Sequence, residues 1–288
     1  MCGSELHSLR SIKAVVPTPY HPFDSHSGAY MMRADPADIS PFIGTDSFTM
    51  PQPFFGPHPH AGMSAVTLML PEAEGGVMNR DSLGDRSLIA PGDLHWTQAG
   101  RGMMHEEIPS EPGKAAHGFQ VFVNLTTVNK QSDPVAFHVN HADIPVVQVD
   151  GGSVRVVAGE FDGQFSPITH DARWLTKVNM LDITLQSGAS LNLPVKAGDN
   201  AFFVIRSGSF SAPAQQNIAQ AAIIFAADGA AAQVQAGDQT LRGVFFSGTP
   251  INEPMFPKGP FMGNTAHDVA QYAARFQRGE MGQLSKSF

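Results

Sequence analysis

The sequence predicts an all-β chain built as two small β-barrels with a short C-terminal helix, and three observations carry that prediction. Gly (28) and Pro (22) are plentiful while charged residues make up only 15%, a mix suited to short strands joined by tight turns. Strand-like runs recur along the whole chain, separated by turn signals rather than helical crossovers. The pattern pauses in the polar stretch 129–141 and then restarts. A boundary near residues 130–142 therefore divides the 288 residues into an N-terminal barrel, 1–138, and a C-terminal barrel, 139–288.

In the first half the runs are 64–70, 76–80, 86–90, 95–99 and 118–125, with turns at Leu83-Gly84-Asp85 and Pro91-Gly92-Asp93 between them. The second half offers 146–149, 154–161, 178–185, 201–206, 221–227 and 241–247. Ala197-Gly198-Asp199 echoes the earlier Pro-Gly-Asp turn, as a diverged duplication would. Near the end, Thr265 and Asp268 form a capping-box pattern, and Val269, Tyr272, Ala273 and Phe276 follow at helical spacing. Gly279 is placed to end that helix, whose apolar stripe is expected on the outside of a barrel.

Composition excludes several classes of function. The net charge is −8, and no run of Lys and Arg exists to neutralise a row of phosphates, so no direct nucleic-acid partner is expected. The single cysteine, Cys2, allows no internal disulfide and suits a reducing compartment, with the cytoplasm as the expected location. Its position beside the terminus makes it a poor candidate catalyst. The first residues lack the apolar core of a secretory signal, and no stretch approaches the roughly 20 apolar residues that span a bilayer.

The candidate chemistry lies in two short segments. In His58-Pro59-His60, residues i and i+2 of an extended chain point to the same side, which aims two imidazoles at one point. His105-Glu106-Glu107 repeats the geometry with His105 and Glu107, and Glu106 turns away. Together they offer three nitrogens and one oxygen inside a barrel, a borderline-to-hard set that admits Fe(II), Mn(II), Ni(II), Cu(II) or Zn(II). An ion preferring six ligands would keep two positions for water, dioxygen or a chelating substrate, whereas a tetrahedral zinc would be closed.

The stretches PHPHAGMSAVTLML, NRDSLGDRSLIAPGDLHWTQAGRGMMHEEIP, HGFQVFVNL and SGTPINEPMFPKGPFMGNT closely resemble successive signatures of the pirin family of bicupins, from about residue 53 to 280. The resemblance implies two cupin barrels face to face, with one metal ion, iron before the alternatives, held in the first by His58, His60, His105 and Glu107. It also implies a second barrel without ligands, and indeed 193–209 contains no histidine; His170 in that half reads as structural or exposed. The chain departs from the family directly after the histidines. Ala61-Gly62-Met63-Ser64 stands where Arg-Gly-Phe-Glu is usual, so groups that orient ligands differ here.

Further expectations attach to individual residues. His95 replaces a common Gln and is expected to support the site or face the surface; His117 is expected to hydrogen-bond near the site. Phe54, Phe55, Met63 and Met104 are candidate apolar walls. Some bacterial pirins resemble quercetin 2,3-dioxygenase, which implies a flavonol substrate and dioxygen, with Glu107 as the catalytic proton acceptor for the 3-hydroxyl. The second functional reading is a metal- or redox-sensing protein that binds a transcription factor or a metabolic enzyme, which the acidic charge permits.

Overall fold

The computed structural model describes residues 8–284, so Cys2 lies outside the described residues. The first barrel is a seven-stranded antiparallel sheet facing a four-stranded one. Across the larger sheet the strands run Val135–Val139, Leu94–Gln98, Met63–Met69, Ala116–Asn124, Phe42–Met50, Gly28–Met32 and Tyr20–Pro22. The smaller contains His58–His60, Met103–Pro109, Val77–Asp81 and Arg86–Ile89. Every predicted run of the first half forms a strand within one or two residues of its expected ends. The strand Val135–Val139 falls inside the stretch read as a polar linker, because Phe137 and Val139 bury one face against the core while His138 keeps partial exposure.

The second barrel repeats the plan with a sheet of Ala221–Phe225, Asn200–Ser207, Leu241–Gly248, Val178–Leu185, Gly152–Ala158 and Val146–Val149. Its edge is completed by a strand from the other end of the chain. Ile12–Pro17 pairs antiparallel with Ala221–Phe225, Val15 opposite Ile223. Arg10, 5% exposed, fastens that end by donating to the carbonyl oxygens of Gly229, Asp199 and Lys196. Residues 12–17, expected in the first barrel, thus lie in the second sheet, where they cover what would otherwise be an open edge. The predicted run 154–161 is cut at Gly159, whose φ of 81° ends the strand, and Glu160–Phe161 forms its own hairpin with Gln164–Phe165.

The reverse exchange occurs at the C-terminus. The segment Phe256–Gly263 returns to the first barrel, where the Met262 amide donates to the Ala61 carbonyl at 2.9 Å. The helix Ala266–Gln277 follows, capped by Thr265 and Asp268 as expected, with Gly279 left-handed behind it. Val269 and Tyr272 pack on Ala61, Met104, Phe261 and Met281. Phe276, read as part of the buried stripe, is 41% exposed instead, since the contact is narrower than the apolar face. None of the described helices is long and apolar enough to cross a membrane.

Between the barrels lies a shared core. Val66, Leu68, Trp96 and Phe119 of the first large sheet meet Met180, Phe202, Val244 and Phe246 of the second in one cluster. Phe42 sets its ring edge against Phe202 and Phe246, both at 5.3 Å, and Trp96 meets Trp174 at 5.3 Å and 85°, the geometry aromatic quadrupoles favour. Because alternate residues of a strand face opposite ways, the other face of each large sheet looks into its own barrel. The second barrel is packed there with Val154, Leu181, Ile183, Phe203 and Phe245, which leaves it an apolar filling. The first barrel instead keeps a cavity there, in which Asp46, Gln120 and the two histidine-bearing segments stand among phenylalanines and methionines.

Candidate metal centre

Register explains how the histidines meet. His105 is the direct cross-strand partner of His58, and Met103 that of His60, so the i, i+2 pair on one strand and His105 on the next aim at one point. Ring centroids are 5.0, 4.6 and 4.9 Å apart for the pairs His58–His60, His58–His105 and His60–His105. One ligand nitrogen from each lies within 4.8 Å of the others, and Nε2 of His105 is 3.0 Å from Nε2 of His58. Nδ1 of His58 lies 2.9 Å from the Gly56 carbonyl and Nδ1 of His60 3.4 Å from that of Pro260. His105 Nδ1 is buried with no hydrogen-bond partner among the described residues.

Burial pushes the His60 imidazole down to about 3, with the charge of His58 adding to the effect. The same causes hold His105 well below the usual histidine range. Both rings are therefore neutral at physiological pH and present lone pairs, the form in which histidine binds a metal. This donor set fits a divalent ion.

Glu107 opens into the same cavity but outside the three-histidine group. Its carboxylate accepts from the Thr67 hydroxyl, whose oxygen is 2.8 and 3.0 Å from the two carboxylate oxygens. Burial raises the Glu107 carboxyl to about 7, and Thr67 opposes that rise. Gln120, facing Thr67 across the sheet, donates to the Val66 carbonyl at 3.3 Å. Glu106 turns outward, as expected, into a buried ion pair with Arg80.

The cavity over these groups measures about 290 Å³ and is walled by Phe23, Phe48, Phe55, Phe122, Met31 and Met50. Of the four wall residues expected from sequence, only Phe55 lines it. Phe54 stacks behind on Phe23, and Met104 points to the opposite side of its strand from His105, under the C-terminal helix. Met63 is buried outside the lining. Thr67, Gln120 and Phe122 were missed, although i, i+2 spacing along Ala116–Asn124 places the last two on one face.

Of the accessory histidines, His95 stands near the site, directly across from Thr67 on the neighbouring strand. His95 is 1% exposed, so a surface role is excluded; its Nδ1 lies 3.4 Å from Nδ1 of His138, which pairs with Asp93 at 3.3 Å. His117 stands on the face of its strand opposite Gln120 and outside the cavity, against the expectation of a bond near the site. His170 is exposed. Ala61 is fully buried under the C-terminal segment.

Comparisons with known proteins agree with this architecture. Residues 20–123 match the family model described as Pirin, and residues 180–282 match Pirin C-terminal cupin domain. The chain is 33% identical to Pirin-like protein 2 of Arabidopsis thaliana, over 87% of this chain and 78% of that protein. It is 32% identical to Pirin of Homo sapiens, over 87% and 86% respectively. The crystal structure of a quercetin 2,3-dioxygenase from Acinetobacter baumannii superposes with a TM-score of 0.85 at 25% identity, covering 96% of this chain and all of that one (100%).

Proposed function

The chain belongs to the pirin family, and from that premise we propose that it is a mononuclear metal-dependent dioxygenase acting on a flavonol such as quercetin. The observation that carries the reading is the convergence of three imidazoles, two of them neutral by burial, at the base of an aromatic cavity. Likeness to the Acinetobacter enzyme supports the reaction class.

His58, His60, His105 and Glu107 would hold one divalent ion, iron(II) first among iron, nickel, manganese, copper and zinc. When bound, the ion supplies the Lewis acidity and the electron transfer toward dioxygen that no side chain here provides. The protein supplies the rest. Phenylalanine and methionine walls exclude water and receive the flat rings of the substrate. Glu107 takes the proton of the 3-hydroxyl, and Thr67 holds its carboxylate in one orientation for that task. Gln120 Oε1, 3.3 Å from the same hydroxyl, is a more distant acceptor for its one proton, so the nearer Glu107 oxygens hold it.

The test is metal content of protein purified without added metal, then oxygen uptake and carbon monoxide release with quercetin. Near-stoichiometric metal and uptake that His58→Ala abolishes are expected. Metal without uptake would transfer the site to a sensing role with a protein partner, and no metal affinity at all would end both readings.

A further inference from the structure

We propose that Phe55 is a specificity-determining residue, the ring against which a planar substrate stacks while its chelating oxygens face the histidines; this rests on the flavonol reading above. Phe55 lines the cavity yet leaves 51% of its surface exposed, an arrangement that keeps apolar area in contact with water until something flat covers it. Its centroid is 6.1 Å from that of His58, at 55° between the planes. A molecule bound through oxygens at the imidazoles therefore has Phe55 within reach of its remaining rings on the His58 side of the cavity.

The ring is held ready for that contact. Phe54 meets it edge-on at 4.6 Å and 88°, Phe23 at 5.8 Å and 69°, and Phe23 and Phe54 stack at 5.0 Å. Phe23 belongs to the turn after Tyr20–Pro22, and the other two to the segment between Phe42–Met50 and His58–His60. A hydrogen bond from Gln52 Nε2 to Asp24 Oδ2, 3.1 Å, joins turn and segment, and Asp24 Oδ1 accepts the amides of His26 and Ser27 at 2.7 and 2.6 Å. Three prolines, Pro51, Pro53 and Pro57, restrict the segment further. Little conformational freedom remains to be lost when a ligand arrives, which is the condition for an aromatic contact to discriminate between ligands.

The experiment compares two probes on metal-loaded protein under argon, where no turnover occurs, by calorimetric titration. 3-Hydroxyflavone carries the chelating pair plus a fused ring and a phenyl ring; maltol carries a similar chelating pair on a single ring. Phe55→Ala should weaken 3-hydroxyflavone about tenfold and leave maltol unchanged, while Phe55→Tyr retains the affinity for both. Equal loss of both probes would mean that Phe55 merely supports His58, and unchanged flavone affinity would mean that no stacking occurs; either overturns the proposal with the flavonol reading intact. Failure of the unmutated protein to bind 3-hydroxyflavone would sink the flavonol reading and this proposal with it.

Discussion

Thr67→Val keeps the shape of the side chain and removes the hydroxyl that holds Glu107. The hydroxyl has one proton to give, shared between oxygens at 2.8 and 3.0 Å, so the loss is one charge-assisted bond, about 1.5–3 kcal/mol. At about 1.36 kcal/mol for each pH unit, the Glu107 carboxyl of metal-free protein should rise by about 1–2 units above its value of about 7. A ligand must be deprotonated to bind, and about half of Glu107 is ionised at pH 7 before the change, so metal affinity near pH 7 should fall about 5- to 50-fold. The deficit should narrow as pH rises and the carboxylate is regained. Competition with a fluorescent chelator near pH 7 and near pH 9 measures both effects, and far-UV circular dichroism checks that the barrel is intact. Equal affinity of the two proteins at both pH values would refute the reasoning, because Glu107 would then be neither a ligand nor dependent on Thr67.

Two further perturbations test the physics of the site. In metal-free protein His60 and His105 take up protons more readily when unfolded, so they favour the fold less as pH falls below about 6.5. Glu107, raised from 4.5 to about 7, acts in the opposite sense, since its folded form holds the proton and the fold weakens as pH rises through that window. Between pH 4.5 and 6.5 the buried histidines, His95 among them, oppose this carboxyl, whose own contribution to the slope is about 1.4 kcal/mol for each pH unit. Glu107→Gln should steepen the pH dependence in urea unfolding by about that amount; an unchanged slope would show that the carboxyl is not raised. Gly62 has a φ of 79°, and a Cβ there would lie 1.9 Å from the Met262 carbonyl oxygen. Gly62→Ala should therefore cost about 2 kcal/mol or more and loosen the C-terminal segment over His60, with wild-type stability as the contrary result.

What the sequence determined by itself was whatever depends on short-range periodicity. Alternation along a strand located most of the strands of both halves, and the i, i+2 rule put His58 with His60 and turned Glu106 away from His105. The capping pattern of Thr265 and Asp268 located the helix. What only the tertiary structure decided depends on contacts between residues far apart in the chain. That Ile12–Pro17 completes the second sheet, and that the helix returns to cover Ala61 in the first barrel, follow from open edges and apolar faces that need a partner, and any strand or helix of suitable pattern could have supplied one. His117 was misjudged for the same reason, because the side of a strand that faces a cavity is fixed by the register of its neighbours; His95, by contrast, stands across from Thr67 in the supporting position expected of it. Thr67 and Gln120 carry no motif; they matter because the pairing of Met63–Met69 with Ala116–Asn124 sets them beside each other below Glu107. The histidine cluster was legible because metal chemistry constrains residue type and spacing, whereas the groups that hold and cover it are selected by packing, which has no local signature.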